Sequence, residues 1–245
     1  ESIVVRILDK SKRLLNLMEL GFSEDQIEKL KWAARQKSGL IICSGPTGAG
    51  KSSTLYALLN ELNHDAHNIM TLEDPVEYQI STIRQTEIKP GTMNFSEGIR
   101  SMLRHDPDVM LIGEIRDAET AEAAIRASLT GHLVLTTLHA PTLGGIFLRL
   151  EELGISESQI SSQVICAINQ RLVRKVCRVC GGLECKKCLS TGYKGRTVLA
   201  EIVLLGRNQG IDDIQGSSLW QEGRNLVSHG ITNEKELKRV LGEES

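Results

Sequence analysis

The sequence predicts an α/β protein built on a parallel sheet with helices on both faces. Three observations carry that prediction. Residues 45–52 read Gly45-Pro46-Thr47-Gly48-Ala49-Gly50-Lys51-Ser52, which fits the phosphate-loop pattern G-x-x-x-x-G-K-[ST] at every fixed position. The loop lies between a short apolar run at 39–44 and a helical pattern at 53–60. Such a run suits a strand buried on both faces, and the following helix adds its N-terminal dipole to an anion site. Beyond the loop, β-like runs alternate with helical patterns, as in sheets whose parallel strands are joined by crossover helices.

The elements follow in order. Residues 1–8 start inside a strand-like pattern without an initiator Met, so residues 1–22 read as the end of a truncated N-terminal domain and its linker. Ser23-Glu24-Asp25-Gln26 predicts a capping box, with Ser23 at N-cap and Gln26 at N3. Ile27, Leu30, Ala33 and Ala34 then share one face of a helix. Strands are predicted at 39–44, 68–73, 108–113 and 132–138, with helices at 94–104 and 117–129 between them. Further helices are expected at 143–152 and 156–169, then a strand at 196–204. A closing helical pair spans 219–228 and 233–241, with Gly230 as a helix stop. This divides the chain into a nucleotide-binding core at 23–170, a cysteine-rich strand segment at 171–205 and a helical subdomain at 206–245.

Composition bounds the function. The 245 residues carry 40% apolar and 24% charged side chains, ordinary for a globular chain, but only 3% aromatics, so the core must be aliphatic. A net charge of −2 argues against a dedicated duplex-DNA binder. No apolar run approaches the ~20 residues of a membrane span, and no signal peptide is evident. Of six cysteines, Cys43 and Cys166 stand alone and read as buried core residues. The other four fall within residues 177–188, a clustering that suggests metal and a reducing compartment.

The loop glycines let backbone N–H groups turn inward to cradle phosphates. Gly45 to Ser53 therefore form the expected nucleotide-binding set. Lys51 reaches the β- and γ-phosphates, and the Ser52 hydroxyl takes a place on Mg²⁺. A P-loop enzyme also needs acids at neighbouring strand ends to hold Mg²⁺ and orient water. Glu73-Asp74-Pro75, with Glu77 after it, ends one strand, and Glu114 ends another. Gly113 stands where the usual Walker B aspartate would be.

Glu73-Asp74-Pro75-Val76-Glu77, the run 103–117 around Ile112-Gly113-Glu114-Ile115-Arg116, and Thr130-Gly131-His132 through His139 resemble three family boxes. They are similar to the Asp box, Walker B region and His box of the secretion and pilus-assembly ATPases, and the match covers essentially the whole chain. The resemblance implies a RecA-like P-loop NTPase core with a small C-terminal subdomain. It implies that Glu73 polarises the attacking water and that Glu114 assists Mg²⁺. His132 and His139 would position the γ-phosphate. Arg100 and Arg104 share a helix face by their spacing of four, and with Arg116 they look like the family's interface arginines. Arg196, in Gly192-Tyr193-Lys194-Gly195-Arg196, resembles an arginine reaching toward the nucleotide. Any of these arginines is also compatible with a surface salt bridge. The resemblance further implies a homohexameric ring, a membrane-embedded platform protein as partner, and a place at the inner face of the bacterial cytoplasmic membrane.

Cys177, Cys180, Cys185 and Cys188 form C-x2-C-x4-C-x2-C. Two such pairs can present four thiolates to a structural Zn²⁺ with no open position. Arg178, Lys186 and Lys187 would offset the charge, and only Gly181-Gly182-Leu183-Glu184 separates the pairs, where secretion-type relatives carry a longer insert. The reading is thus an ATP- and Mg²⁺-dependent ring motor that powers pilus or pseudopilus assembly, with zinc in a structural role. A ring motor acting directly on nucleic acid would need a basic pore or stacking aromatics, which the sequence does not offer. A non-hydrolysing scaffold is disfavoured by Lys51, Glu73 and Glu114.

Overall fold

The computed structural model describes residues 15–62, 67–89, 91, 93–206 and 216–243. The strand-like pattern at 1–8 lies outside the described residues. Seven strands form one sheet in the order β3-β2-β4-β5-β1-β6-β7. They are β1 Gly39–Ser44, β2 Ile69–Glu73, β3 Arg84–Glu87, β4 Val109–Ile112, β5 Leu133–Leu138, β6 Val164–Val176 and β7 Tyr193–Leu204. Every pairing is parallel except that of β6 with β7.

Strand alternation decides how the core is built. In β1, Leu40 and Ile42 face one side of the sheet and Ile41 and Cys43 the other, all fully buried. On the first face lie α4 Phe95–Met102, α5 Ala118–Leu129 and α6 Leu143–Glu152, through Ile99, Ile125 and Phe147. On the second lie α1 Leu17–Leu20, α2 Glu24–Ala34 and α3 Lys51–Leu62, through Leu17, Leu30, Leu55 and Leu58. Ser23 caps α2 as expected, its hydroxyl accepting from the Gln26 N–H while the Gln26 carboxamide accepts from the Ser23 N–H. The α/β prediction is therefore correct in class, in face coverage and in the position of the phosphate loop at the C-terminal end of β1.

Three elements differ from expectation. α1 lies inside the segment read as a linker, where Asn16 caps it and Leu17 is buried in the core. The helix expected over 156–169 ends early: α7 covers Glu157–Gln163, and β6 begins at Val164. Val164-Ile165-Cys166-Ala167-Ile168 is apolar enough to pass for a helix, yet its β-branched side chains suit a pleated surface. Pairing with β1 on one side and β7 on the other decides the matter. β3, reading Arg-Gln-Thr-Glu, was not predicted because a polar edge strand carries no apolar pattern.

β6 runs through residue 170, so the nucleotide core and the cysteine-rich segment share one strand. The four clustered cysteines sit in the loop between β6 and β7. The closing pair, α8 Leu219–Ser228 and α9 Glu234–Leu241, packs on this arm through Leu237, Val173 and Leu199.

Candidate active site

The C-terminal ends of β1, β2, β4 and β5 open into a cleft of about 510 Å³. This is where open α/β sheets place ligands. Thr47 to Ser53 form one wall, Glu73, Asp74 and Glu77 another, and Glu114, Arg116, His139 and Arg196 the rest. Six sequence-predicted positions far apart in the chain, Lys51, Glu73, Glu114, Arg116, His139 and Arg196, thus meet around one space.

The phosphate loop is shaped by its neighbours. Gly45 has φ +143°, and a Cβ there would lie 2.3 Å from the Gln170 carbonyl oxygen, so only glycine fits. Lys51 Nζ folds back onto the carbonyls of Gly45 and Pro46 at 2.8 and 3.2 Å. Burial lowers the Lys51 pKa, opposed by the charge of Glu114. Burial likewise pushes Cys43 up to about 12, so it stays a neutral thiol.

Glu73 is buried at 5% exposure, yet no cation touches it among the described groups. Its Oε2 accepts from the Tyr56 hydroxyl, and its Oε1 accepts from the Thr71 hydroxyl at 2.5 Å and from Gln85 Nε2 at 3.2 Å. Tyr56 itself comes from α3, directly behind the loop. Burial, then the hydrogen bond to Glu73, raise its pKa, so the phenol stays a donor. Glu114 faces the same cleft but is met by basic side chains. Arg116 pairs with it, and His139 Nε2 stands 3.6 Å from its other oxygen. Gly113, where the usual Walker B aspartate would be, packs against the end of β2. Its N–H donates to the Leu72 carbonyl at 2.8 Å, and a Cβ there would stand 3.3 Å from that oxygen and 3.4 Å from Glu73 Cα. The strand ends carrying the two glutamates therefore approach closely, and a side chain at 113 would press on the Leu72 carbonyl.

Gly45 and Pro46 of the phosphate loop do not line this cleft, and neither do His132, Arg100 and Arg104. His132 and His139 flank the six residues of β5, which sets them on the order of 20 Å apart. His132 therefore lies at the opposite end of the sheet, where its Nδ1 is 2.9 Å from the Ala127 carbonyl oxygen. It cannot position a phosphate held by Lys51. The expected shared helix face is not formed: α4 turns Ile99 and Met102 inward and ends at Met102, and Arg104 falls in the 3₁₀ turn 103–105 after it, with both arginines exposed to solvent. Sequence reasoning missed Tyr56, Gln85 and Gln170. Each is a polar residue amid apolar or edge positions, and that is the signal that could have found them.

The cysteine loop forms a second candidate site. The four Sγ atoms of Cys177, Cys180, Cys185 and Cys188 all lie within 4.8 Å of one another. Cys185 lies 3.6 Å from Cys188 and 3.9 Å from Cys177, and Cys180 lies 3.8 Å from Cys188, Sγ to Sγ. A tetrahedron of thiolates at ~2.3 Å from zinc has edges of ~3.8 Å, and a disulfide would need ~2.05 Å. The donor set therefore fits Zn²⁺.

A family model described as "Type II/IV secretion system protein" matches residues 1–239. The chain belongs to that family. Within it, this secretion-family chain is similar to type II secretion system protein E of Dickeya dadantii, 39% identical over 100% of the chain and 57% of the relative. It is 41% identical to the protein transport protein HofB homolog of Haemophilus influenzae, over 99% of the chain and 52% of the relative. The chain thus spans a little over half the length of these curated relatives. The Dickeya alignment runs over 284 positions against 245 residues here, so that relative carries extra residues inside the aligned region. The HofB alignment runs over 244. Among solved structures, the pilus retraction motor PilT with bound ADP aligns over 94% of the chain and 64% of its own, with TM-score 0.70 and 27% identity. The Legionella pneumophila ATPase DotB aligns over 92% and 64%, with TM-score 0.75 and 24% identity, a likeness of fold. The predicted resemblance to secretion and pilus-assembly ATPases is correct.

Proposed function

We propose that this chain binds ATP with Mg²⁺ and hydrolyses it as the motor part of a secretion or pilus-assembly machine. The observation that carries the reading is the meeting of Lys51, Glu73 and Glu114 in one cleft beside a phosphate loop. Lys51 would exchange its two carbonyl contacts for β- and γ-phosphate oxygens. The Ser52 hydroxyl and Glu114 would hold Mg²⁺, which neutralises charge on the phosphates when bound. A carboxylate offers about four lone-pair sites, and three on Glu73 are taken by fixed donors. The remaining one is left to orient water toward the γ-phosphate. His139 and Arg196 face the same space and would meet charge developing on the transferred group.

Arg100 and Arg104 keep the interface role that the resemblance implies. Exposed on α4 and on the turn after it, they are available to the cleft of a neighbouring copy, as expected in a homohexameric ring. The ring would act on a membrane-embedded platform protein at the cytoplasmic face of the membrane. Consistent with a peripheral position, no helix among the described residues is long and apolar enough to cross a bilayer. The four cysteines would hold one structural Zn²⁺, and the extra residues of the Dickeya relative would lengthen the loop between the cysteine pairs. The four-cysteine loop favours the assembly side over retraction. Nothing in the family match or the cleft points to nucleic-acid translocation.

The deciding experiment is steady-state ATP hydrolysis against protein concentration. Activity rising faster than linearly supports sites shared between copies. Linear activity that survives Glu73→Gln would sink both the shared site and the water-orienting role. Metal content of purified protein tests the second site, with one zinc per chain expected and none after Cys188→Ser.

A further inference from the structure

Strand alternation sends consecutive side chains to opposite faces, and at Asn169-Gln170-Arg171 of β6 each one holds a loop. Gln170 is completely buried. Its Nε2 donates to the Ala49 carbonyl at 2.7 Å, and its Oε1 accepts from the Thr54 hydroxyl at 2.8 Å. One planar amide therefore spans from the phosphate loop to the first turn of α3. The Gln170 backbone closes the start of the loop through its contact with Gly45.

The neighbours reach the other side of the cleft. Arg171 donates to the Gln170 carbonyl and to Asn169 Oδ1, both at 2.9 Å, and to the Pro141 carbonyl at 2.6 Å. Asn169 Nδ2 donates to the same Pro141 carbonyl at 3.3 Å and to Glu201 Oε1 at 2.7 Å. Pro141 lies two residues beyond His139, so one strand ties together both loops that face the phosphates.

We propose that Gln170 is a positioning residue that keeps the phosphate loop in its phosphate-receiving shape, with Asn169 and Arg171 fixing the His139 loop to the same strand. The reason is the geometry of the loop. Its N–H groups can turn toward an anion only if its carbonyls turn away, and a carbonyl turned into the protein needs a donor. Gln170 gives Ala49 that donor while accepting from Thr54, a double role that a neutral amide fills without introducing charge. A carboxylate in its place would set a second oxygen against the Ala49 carbonyl.

This inference rests on the nucleotide-binding reading, and the test separates the two. Equilibrium binding of a fluorescent ADP analogue with Mg²⁺ is compared with thermal unfolding for the wild-type chain, Gln170→Glu and Thr54→Val. Gln170→Glu is expected to weaken binding by about tenfold or more, the loss of a buried hydrogen bond made worse by repulsion. Thr54→Val should lower the thermal midpoint but leave affinity within about threefold, because only the helix side of the amide loses a partner. A purely structural role would move the midpoints and leave both affinities alike. If Gln170→Glu does not fold, Gln170→Met gives the same comparison with a neutral side chain. Folded Gln170 variants that bind as wild type does would overturn the proposal. A wild-type chain that binds no ADP would overturn the nucleotide reading itself, and the positioning role with it.

Discussion

Glu73 and Glu236 are both buried, and the described structure holds them in opposite ways. Glu73 sits at the end of β2 and is gripped by neutral donors from Tyr56, Thr71 and Gln85. Glu236 sits on α9 and is gripped by cations. Arg174 and Arg239 donate to its two oxygens at 2.6 to 2.9 Å, and the Arg174 N–H adds another bond at 2.9 Å. Arg174 also stacks 4.1 Å from the Tyr193 ring centre. Neutral donors fix a carboxylate in place and leave its negative charge for a ligand. Cations spend that charge on holding two elements together, here the closing helical pair against β6. The comparison teaches that the partners of a buried acid separate a chemical role from a structural one better than its burial does.

The largest expected effect breaks the first half of that comparison. Glu73→Gln should reduce ATP turnover by roughly 10²–10⁴-fold, the range for a lost positioned base, with little change in the thermal midpoint. A midpoint that falls while turnover holds would make Glu73 structural as well. Next comes Glu236→Gln, expected to cost about 3 kcal/mol in a denaturant melt, because two arginines lose a buried partner. Nucleotide affinity should hardly move.

The same residue gives a pH prediction. Burial would raise the Glu236 pKa, but Arg239 and Arg174 outweigh it and hold it at about 2, against 4.5 unpaired. Its stabilisation is therefore full above pH 4.5 and is lost as pH falls toward 2. Thermal midpoints of wild type and Glu236→Gln should converge across that window and stay apart above it. The smallest effect sharpens the Glu73 side. Tyr56→Phe removes one of three donors, so turnover should drop by about five- to tenfold, near the ~1 kcal/mol of one hydrogen bond. The Michaelis constant for ATP should stay put. A change in that constant with turnover intact would place Tyr56 in binding rather than in orienting Glu73.

Much of the site was legible in the chain. Lys51 and Ser52 are fixed by a motif whose spacing is itself the geometry, since eight consecutive residues make the loop. Glu73 and Glu114 were legible because strand ends announce themselves as apolar runs that stop at an acid. Cys177 to Cys188 were legible by spacing alone. His132 was not separable from His139 in sequence, because both bound the same apolar run. Only the direction of β5 within a parallel sheet puts one at the phosphate end and the other far from it. Arg100 and Arg104 show a related limit, since a spacing of four does not reveal that the α-helix ends at Met102 and that Arg104 falls in a 3₁₀ turn.

The sequence by itself determined the ligand class, the alternation of strands and helices, the capped start of α2 and the thiolate set of the cysteine loop. These are local properties, set by residues within a few positions of one another. Tertiary structure alone decided that 164–176 is a strand, that Gly113 packs close against Leu72, and that Tyr56, Gln85 and Gln170 brace the cleft. Each of these depends on a partner at least 12 residues away in the chain. Examples are Gln85 to Glu73 and Thr54 to Gln170. A hydrogen bond or a close approach of that kind is specified by where the sheet places two segments, and a sequence window does not contain that distance.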